Sequence, residues 1–289
     1  MSLQPLVTHV SDTARWVAAH RAIESARPDA LFRDPLADRL AGPRGREIAA
    51  AAGQSMADDW FLVTRTRLID DQIAEAVAAG CDLVLNLGAG LDARPYRMDL
   101  PAELRWIEAD LPGLIAEKNA VLAAETPRCR LTRTALDVTD SVAVTTYLDS
   151  ALTDVRQALV ISEGLVMYLR ETDVTALSAA LTRPEIAGWC LDVSSAGVAH
   201  LMTDRNEGLL RRAPWTFLPA EGVAYFEHLG WDATYLESIV VAAARFDRLA
   251  LPGSPEELEA QQPDPRAPGD QPYSGVVRLT PTRSGARAR

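Results

Sequence analysis

The stretch Leu83–Arg97, LVLNLGAGLDARPYR, decides how the rest of the chain is read. An apolar run from Leu83 to Leu87 is broken at once by Gly88-Ala89-Gly90, and Asp92 and Pro95 then open a helix-like segment. An apolar strand that ends in a glycine turn and feeds a helix presents bare backbone amides to a ligand, usually a nucleotide-like one. Gly88-x-Gly90-x-x-Ala93 also satisfies the loose dinucleotide fingerprint, with alanine in the third place. On this reading the residues before Leu83 form a cover, and those after Arg97 complete the sheet or shape the substrate pocket.

Toward the N-terminus the pattern is helical. Val10 to Ala26 carries an apolar side of Val10, Ala14, Val17, Ala18 and Ala22, with Ser11 as its cap. Asp34-Pro35 starts a second helix that stops near Gly42-Pro43, and a third runs from about Asp58 to Ala79, closed by Gly80. Toward the C-terminus the pattern alternates. Strands are expected at Arg105–Glu108, Arg130–Leu136, Ala158–Ser162 and Cys190–Ser194. Helices are expected from Pro112 to about Glu125, after Asp140, and from Glu171 to Leu181. Such alternation means βαβ units, a parallel sheet and right-handed crossovers. After Ser195 it fails. Ala196–Pro219, with Pro214-Trp215-Thr216 near its end, reads as an insertion, and Pro219–Leu229 as a helix. A helical or strand-like run follows to Leu251, six prolines mark Pro252–Pro272 as a loop, and Gly275–Leu279 is a last short strand.

Bulk chemistry narrows the partners. The 289 residues carry 29 Lys and Arg against 40 Asp and Glu, a formal charge of −11, whereas nucleic-acid binding needs a basic face. DNA, RNA and bulky anionic macromolecules are therefore unexpected partners, and the basic residues Arg283, Arg287 and Arg289 make only a short tail. Cys81, Cys129 and Cys190 lack the spacing of a zinc site or a disulfide framework. No secretory h-region and no run near the roughly 20 apolar residues of a bilayer span are present, so a cytoplasmic protein without a membrane partner is expected.

The strand ends carry acids. Glu108 and Asp110 close the second strand eighteen and twenty residues after Gly90, where a ribose-binding carboxylate sits in an NAD site or an S-adenosylmethionine site. Asp137 follows the third strand and Glu163 the fourth. Ligands of open α/β sheets collect at this carboxyl edge. Acids crowded there would repel the pyrophosphate of NAD. They suit S-adenosyl-L-methionine better, with its sulfonium, ammonium and ribose hydroxyls, provided an arginine meets its carboxylate. Arg65 or Arg67, on the helix before the first strand, can supply that arginine.

These motifs resemble a known family. NLGAGLDARPYR, followed by WIEADLP, LDVTD and ISEGLVMYL, is similar to the leucine carboxyl methyltransferase family, in particular its bacterial branch of polyketide and small-molecule O-methyltransferases. VSDTARWVAAHRAIESARPDALFRDPLA near the N-terminus and RTRLIDD at Arg65–Asp71 resemble that branch as well. The resemblance implies an α/β class I methyltransferase fold: a Rossmann-like sheet of seven strands, mostly parallel with the last strand antiparallel, under an N-terminal helical cap and with an insertion after strand five. It implies one domain over 1–289, with the cap at 1–80, the cofactor-binding core at 81–195, a lid or acceptor insertion at 196–218, and a C-terminal completion of the sheet at 219–289. S-adenosyl-L-methionine is the implied cofactor. By the same resemblance Arg65 meets the cofactor carboxylate, Gly88, Ala89 and Gly90 form the turn, Asp110 binds ribose, Leu136-Asp137 flank adenine, and Glu163 with Tyr168 lies near the pocket. Members that act on a phosphatase C-terminus carry a lysine in the N-terminal helix, where this chain has Val17 or Ala18. A phosphatase-tail substrate is therefore not implied.

The expected reaction is O-methylation of a small-molecule carboxylate or hydroxyl, a polyketide or other secondary metabolite. No metal is called for. A carboxylate acceptor needs no general base; a phenol or alcohol benefits from one. His200, in the insertion after strand five, is the candidate base, with Tyr168 the other catalytic candidate, and Tyr168, Arg97 and Trp215 are candidates for lining the acceptor pocket. The alternatives left open are an NAD(P)-dependent oxidoreductase built on the same turn and a non-catalytic cofactor-binding protein. Spacing gives neither the acceptor nor the oligomeric state.

Overall fold

A computed structural model describes residues 10–52, 60–205, 213–249 and 253–282. Seven strands form one sheet in the order β3-β2-β1-β4-β5-β7-β6. In chain order they are β1 (Leu83–Leu87), β2 (Arg105–Asp110), β3 (Arg130–Ala135), β4 (Ala158–Ser162), β5 (Ile186–Ser194), β6 (Trp231–Ser238) and β7 (Ser274–Pro281). The first five pair in parallel, and β7 runs antiparallel to both β5 and β6. Every residue of β1 and β4 is buried, as central strands covered on both faces require. The edge strand β3 alternates between partial and full exposure. The chain order reverses between β1 and β4, which opens a crevice at their carboxyl ends.

Side chains that alternate along the strands feed two cores. One face contributes Val84, Trp106, Leu159, Ile161 and Cys190, packed with Trp16, Leu36, Ile69 and Ile73 of the N-terminal segment. The other contributes Leu83, Leu85, Val160, Trp189 and Leu191, packed against Val144, Leu148, Val174 and Leu177. Those last four come from α6 (Ser141–Ala151) and α7 (Glu171–Leu181), and Asp140 caps α6 by accepting from the amides of Val142 and Ala143. The short helix α4 (Arg94–Arg97) and α5 (Pro112–Val121) complete the crossovers on the first face.

Three helices precede the sheet: α1 (Val10–Ser25), α2 (Ala37–Ala52) and α3 (Trp60–Ala78). Ionic ties fix α1 over the sheet edge. Arg15 meets Glu117 of α5 at 2.6 Å, and Arg21 donates to Asp34 at 2.9 Å and to the Leu91 carbonyl at 2.6 Å. The expected stop at Gly42-Pro43 is a kink: Gly42 takes φ 60° and ψ −173°, then a second helical stretch runs on to Ala52. A glycine stop followed by a proline start is compatible with both outcomes, because proline suits a first helical turn.

Other boundaries differ from the sequence reading: α2 begins at Ala37, β2 extends to Asp110, α5 ends at Val121, and β5 begins at Ile186 rather than Cys190. The insertion begins with α8 (Ala196–Arg205), and its residues 206–212 lie outside the described part. Only α9 (Ala224–His228) is helical within the segment expected to be a helix over Pro219–Leu229. The ambiguous run to Leu251 resolves into β6 and α10 (Ile239–Arg245). Within the proline-rich loop Ser254 caps α11 (Pro255–Ala260) through a reciprocal bond with Glu257. Arg283, Arg287 and Arg289 lie outside the described residues. Among the described residues no helix is long and apolar enough to cross a membrane.

Candidate cofactor and acceptor site

The crevice at the strand ends deepens under α1 into a cavity of about 330 Å³, within the range of small-ligand sites. Its walls include Gly88, Ala89, Gly90, Asp110, Leu136, Asp137 and Glu163 from the sheet edge, Arg65 from α3, and Tyr168 from the 3-10 turn Val166–Tyr168. Residues 98 positions apart in the chain, Arg65 and Glu163, meet there directly.

The glycine turn is shaped by its conformation and by close approach. Gly88 (φ 66°) and Gly90 (φ 49°) sit in the left-handed region that costs other L-residues roughly 1–2 kcal/mol. A Cβ on Gly88 would stand 2.8 Å from Leu165, and one on Gly90 would stand 3.3 Å from the Ala14 Cβ of α1. The cap thus rests directly on the turn. The Gly90 amide donates to Asp110 Oδ2 at 2.7 Å, and the Leu111 amide donates to Oδ1 at the same distance. Burial lifts the Asp110 carboxyl above its ordinary range despite these two bonds. Asp137 is exposed and accepts from the Thr139 amide and hydroxyl, beside buried Leu136.

Behind the turn lies a network of ion pairs that the sequence reading did not anticipate. Glu163 Oε1 accepts from Arg65 Nε at 3.1 Å and from the Thr66 hydroxyl at 3.2 Å, while Oε2 pairs with Arg94 Nη1 at 2.7 Å. Arg94 is 2 % exposed and also holds Asp70 and Asp92; Asn86 donates to Asp92 at 2.8 Å. Burial alone would raise the Glu163 carboxyl, but Arg94 and Arg65 hold it below its ordinary value. Asp92 is likewise buried, yet Arg94, Lys118 and Arg21 keep it well below the usual range. Asp192, fully buried on β5, accepts from Arg65 Nη1 at 3.0 Å and from the Gly164 amide at 2.6 Å. The signal available in the sequence was an acid inside the apolar strand Cys190–Ser194, since a buried charge demands a partner.

Other candidates fall elsewhere. Arg67, two positions from Arg65, points off the same helix face, pairs with Asp71 and lies over the Phe246 ring. Glu108 stops one pleat short of the sheet edge, fully buried between Lys118 (2.8 Å) and Arg133 (2.7 Å). Arg97 is held by Asp70 at 2.7 Å and stacks on Phe32, away from the cavity walls. His200 is exposed on α8 and is not among the cavity-lining residues, so the structure does not bring it to the other candidates. Tyr168 and Trp215 do line the cavity. The Tyr168 hydroxyl lies by Trp215, Thr13 and Arg65, and burial pushes its pKa up.

The charges bordering the cavity test the two cofactor readings. Among the described lining residues the guanidiniums are Arg21, Arg65 and Arg94, and the carboxylates are Asp92, Asp110, Asp137 and Glu163. Each arginine is already paired with a carboxylate. A pyrophosphate would meet this excess of negative charge, whereas a cofactor carrying sulfonium, ammonium and one carboxylate complements it.

The comparisons agree. Residues 14–182 match the leucine carboxyl methyltransferase family. A relative from Parafrankia sp., named "Putative S-adenosyl-L-methionine-dependent methyltransferase", is 32% identical over 249 residues, 81% of this chain and 80% of its own. A second of that name, from Streptomyces coelicolor, is 32% identical over 238 residues, covering 77% of this chain and 83% of its own. Among solved structures, a duf574 family protein from Streptomyces avermitilis superposes with a TM-score of 0.61 at 14% identity, covering 93% of this chain and 97% of that one. A Thermobifida fusca structure titled as a putative methyltransferase gives 0.53 at 14% identity, covering 91% and 94%. The last two show the fold. With the glycine turn, the acid-lined edge and the family match together, the chain belongs to the leucine carboxyl methyltransferase family and is an S-adenosyl-L-methionine-dependent methyltransferase.

Proposed function

We propose that this methyltransferase acts on an oxygen of a small molecule, a carboxylate or an acidic hydroxyl, with Arg65, Gly88, Ala89, Gly90, Asp110, Leu136, Asp137 and Glu163 holding the cofactor. When bound, S-adenosyl-L-methionine supplies a methyl group already activated by its sulfonium charge. What the chain must add is position and dryness, and good alignment alone is worth roughly 7–11 kcal/mol in favourable systems. Asp110, fixed by two backbone amides, presents its remaining lone pairs to vicinal ribose hydroxyls. Two of the five Arg65 donors are committed to Glu163 and Asp192, and the others serve the cofactor carboxylate. Helix α1 seals the turn from above and excludes water.

The observation that carries the acceptor assignment is the make-up of the cap wall. It consists of Ser11, Thr13, Ala14, Trp16, Val17 and Arg21 from α1, Phe61, Leu62 and Arg65 from α3, and Met202 with Trp215 from the insertion. Among these described residues none is a carboxylate or an imidazole; the cavity-lining acids come from the glycine turn and the strand ends. Burial also disfavours a Tyr168 phenolate. A wall whose described residues offer no carboxylate or imidazole suits an acceptor that arrives ionised, and its apolar side chains suit a hydrophobic acid such as a polyketide-derived carboxylate. Residues 1–80, 81–195, 196–218 and 219–289 then act as cap, cofactor core, acceptor insertion and sheet completion of one working unit.

Methyl-labelled cofactor incubated with panels of hydrophobic acids, phenols, amines and thiols tests this. Label released as methanol by mild alkali marks an ester, and alkali-stable label on oxygen marks an ether; label confined to nitrogen, sulfur or carbon overturns the assignment. Asp110→Asn, which removes the charge that draws ribose hydroxyls, is expected to weaken binding of the demethylated cofactor by about 10- to 100-fold in calorimetry. An unchanged affinity would remove Asp110 from the site.

A further inference from the structure

We propose that Asp192 is a positioning residue for the cofactor's amino-acid end, acting through Arg65 and the Gly164 amide. The inference rests on the reading of Arg65 as the carboxylate anchor. Asp192 is fully buried and does not line the cavity, so it cannot touch a ligand itself. Its two oxygens are divided between the two things that must hold still. Oδ2 accepts from Arg65 Nη1 at 3.0 Å, and Oδ1 accepts from the Gly164 amide at 2.6 Å.

Gly164 in turn has a positive φ of 63°, and a Cβ there would stand 3.3 Å from both Arg65 Nη1 and Nη2. The guanidinium therefore lies flat against the backbone that follows β4. Arg65 Nε closes the circuit on Glu163 Oε1 at 3.1 Å, and Glu163 is the residue bonded in sequence to Gly164. Four groups form a ring: Asp192, Arg65, Glu163 and the Gly164 peptide. Within it both the arginine and the loop have one orientation, and the guanidinium edge left over is the one at the cavity, where Arg65 retains its slight exposure. Among the described residues the partners of this fully buried carboxylate are Arg65 and the Gly164 amide; a hydrophobic residue in its place would fit an apolar strand as well. The acid fixes which N–H groups of Arg65 face inward.

The test compares two ligands that share adenosine and differ only beyond the sulfur. S-adenosyl-L-homocysteine carries the amino-acid tail; 5′-methylthioadenosine does not. For Asp192→Asn the expected calorimetric result is a loss of about 10-fold or more for the first, with the second held within about threefold, since only the tail reads the Arg65 geometry. Equal losses for both ligands, or no loss for either, overturn the inference, because a general softening of the fold moves both together. Gly164→Ala, whose Cβ presses on the guanidinium, serves if the first variant is insoluble and carries the same expectation and the same refutation. Arg65→Lys separates this inference from the reading beneath it. If Arg65→Lys leaves the ratio of the two affinities unchanged, Arg65 is not the carboxylate anchor. If it shifts the ratio and Asp192→Asn does not, Arg65 stands and the role of Asp192 alone fails.

Discussion

Replacing Glu163 by Gln puts the ion-pair network to a quantitative test. The carboxylate, whose side chain is 13% exposed, sits between Arg65 Nε at 3.1 Å and Arg94 Nη1 at 2.7 Å. Gln has the same shape, but it removes the charge and turns one of the two acceptors into a donor that faces a guanidinium. Breaking a buried pair by neutralising one partner costs about 3–5 kcal/mol. A chain of this size converts each kcal/mol into roughly 2–4 °C, so Tm of the ligand-free protein should fall by about 6–20 °C at neutral pH. Thr66→Val, which removes one neutral hydrogen bond to the same oxygen, should cost about 1 kcal/mol and a correspondingly smaller shift. The pH dependence has a fixed sign. Glu163 is held below its ordinary value of 4.5, so its contribution is present above that value and is lost as pH falls through the lower folded value. The gap between wild type and Glu163→Gln should therefore narrow on acidification below pH 4.5. A neutral-pH Tm within about 2 °C of wild type, about 1 kcal/mol or less, or a gap that widens in acid, would refute the claim that Glu163 is the shared counter-ion of both arginines.

The glycine turn and the exposed histidine give two further expectations. Gly90→Val places a β-branched residue at φ 49° with its Cβ 3.3 Å from Ala14, so it should lose about 2–4 kcal/mol of stability and the cofactor affinity together. Gly113→Ala is the control of opposite sign, since a Cβ there meets nothing within 4 Å and alanine favours the α5 helix by up to about 1 kcal/mol; differential scanning calorimetry reads both. His200→Ala should leave methyl transfer within about twofold of wild type across the pH range, because the ring is exposed and away from the cavity wall. A rate fall of tenfold or so, about 1.4 kcal/mol, would return His200 to the acceptor site.

The glycine turn and the acids after β2, β3 and β4 that line the candidate site were legible because each is a local signal at one strand end, and the parallel βαβ pattern brings those strand ends to one edge. Periodicity could not choose between Arg65 and Arg67, and the choice depended on which helix face meets the sheet. Nor could it separate Asp110 from Glu108. Both lie on the same side of β2, and one pleat of roughly 6–7 Å decides which reaches the cavity and which is buried under Lys118 and Arg133. The ion pairs Arg65–Asp192 and Arg94–Asp70 were invisible because they join residues 127 and 24 positions apart, with no spacing rule to connect them.

The cavity offers its ligand few unpaired charges; its cations are held by carboxylates that are themselves fixed from behind by α3, β5 and the loop after β4. Such an arrangement keeps the dipoles in place before the ligand arrives, so binding costs little reorganisation. It also separates two tasks along the chain. The sheet edge carries the charges, set by pairs too buried to be altered singly without loss of stability. The cap wall is mainly apolar, and volume-conserving changes at residues such as Val17, Leu62 or Met202 cost little stability. Substitutions at these apolar cap residues should therefore change which acceptor is methylated while leaving demethylated-cofactor affinity unchanged, and substitutions at the edge or at Arg65 should do the reverse.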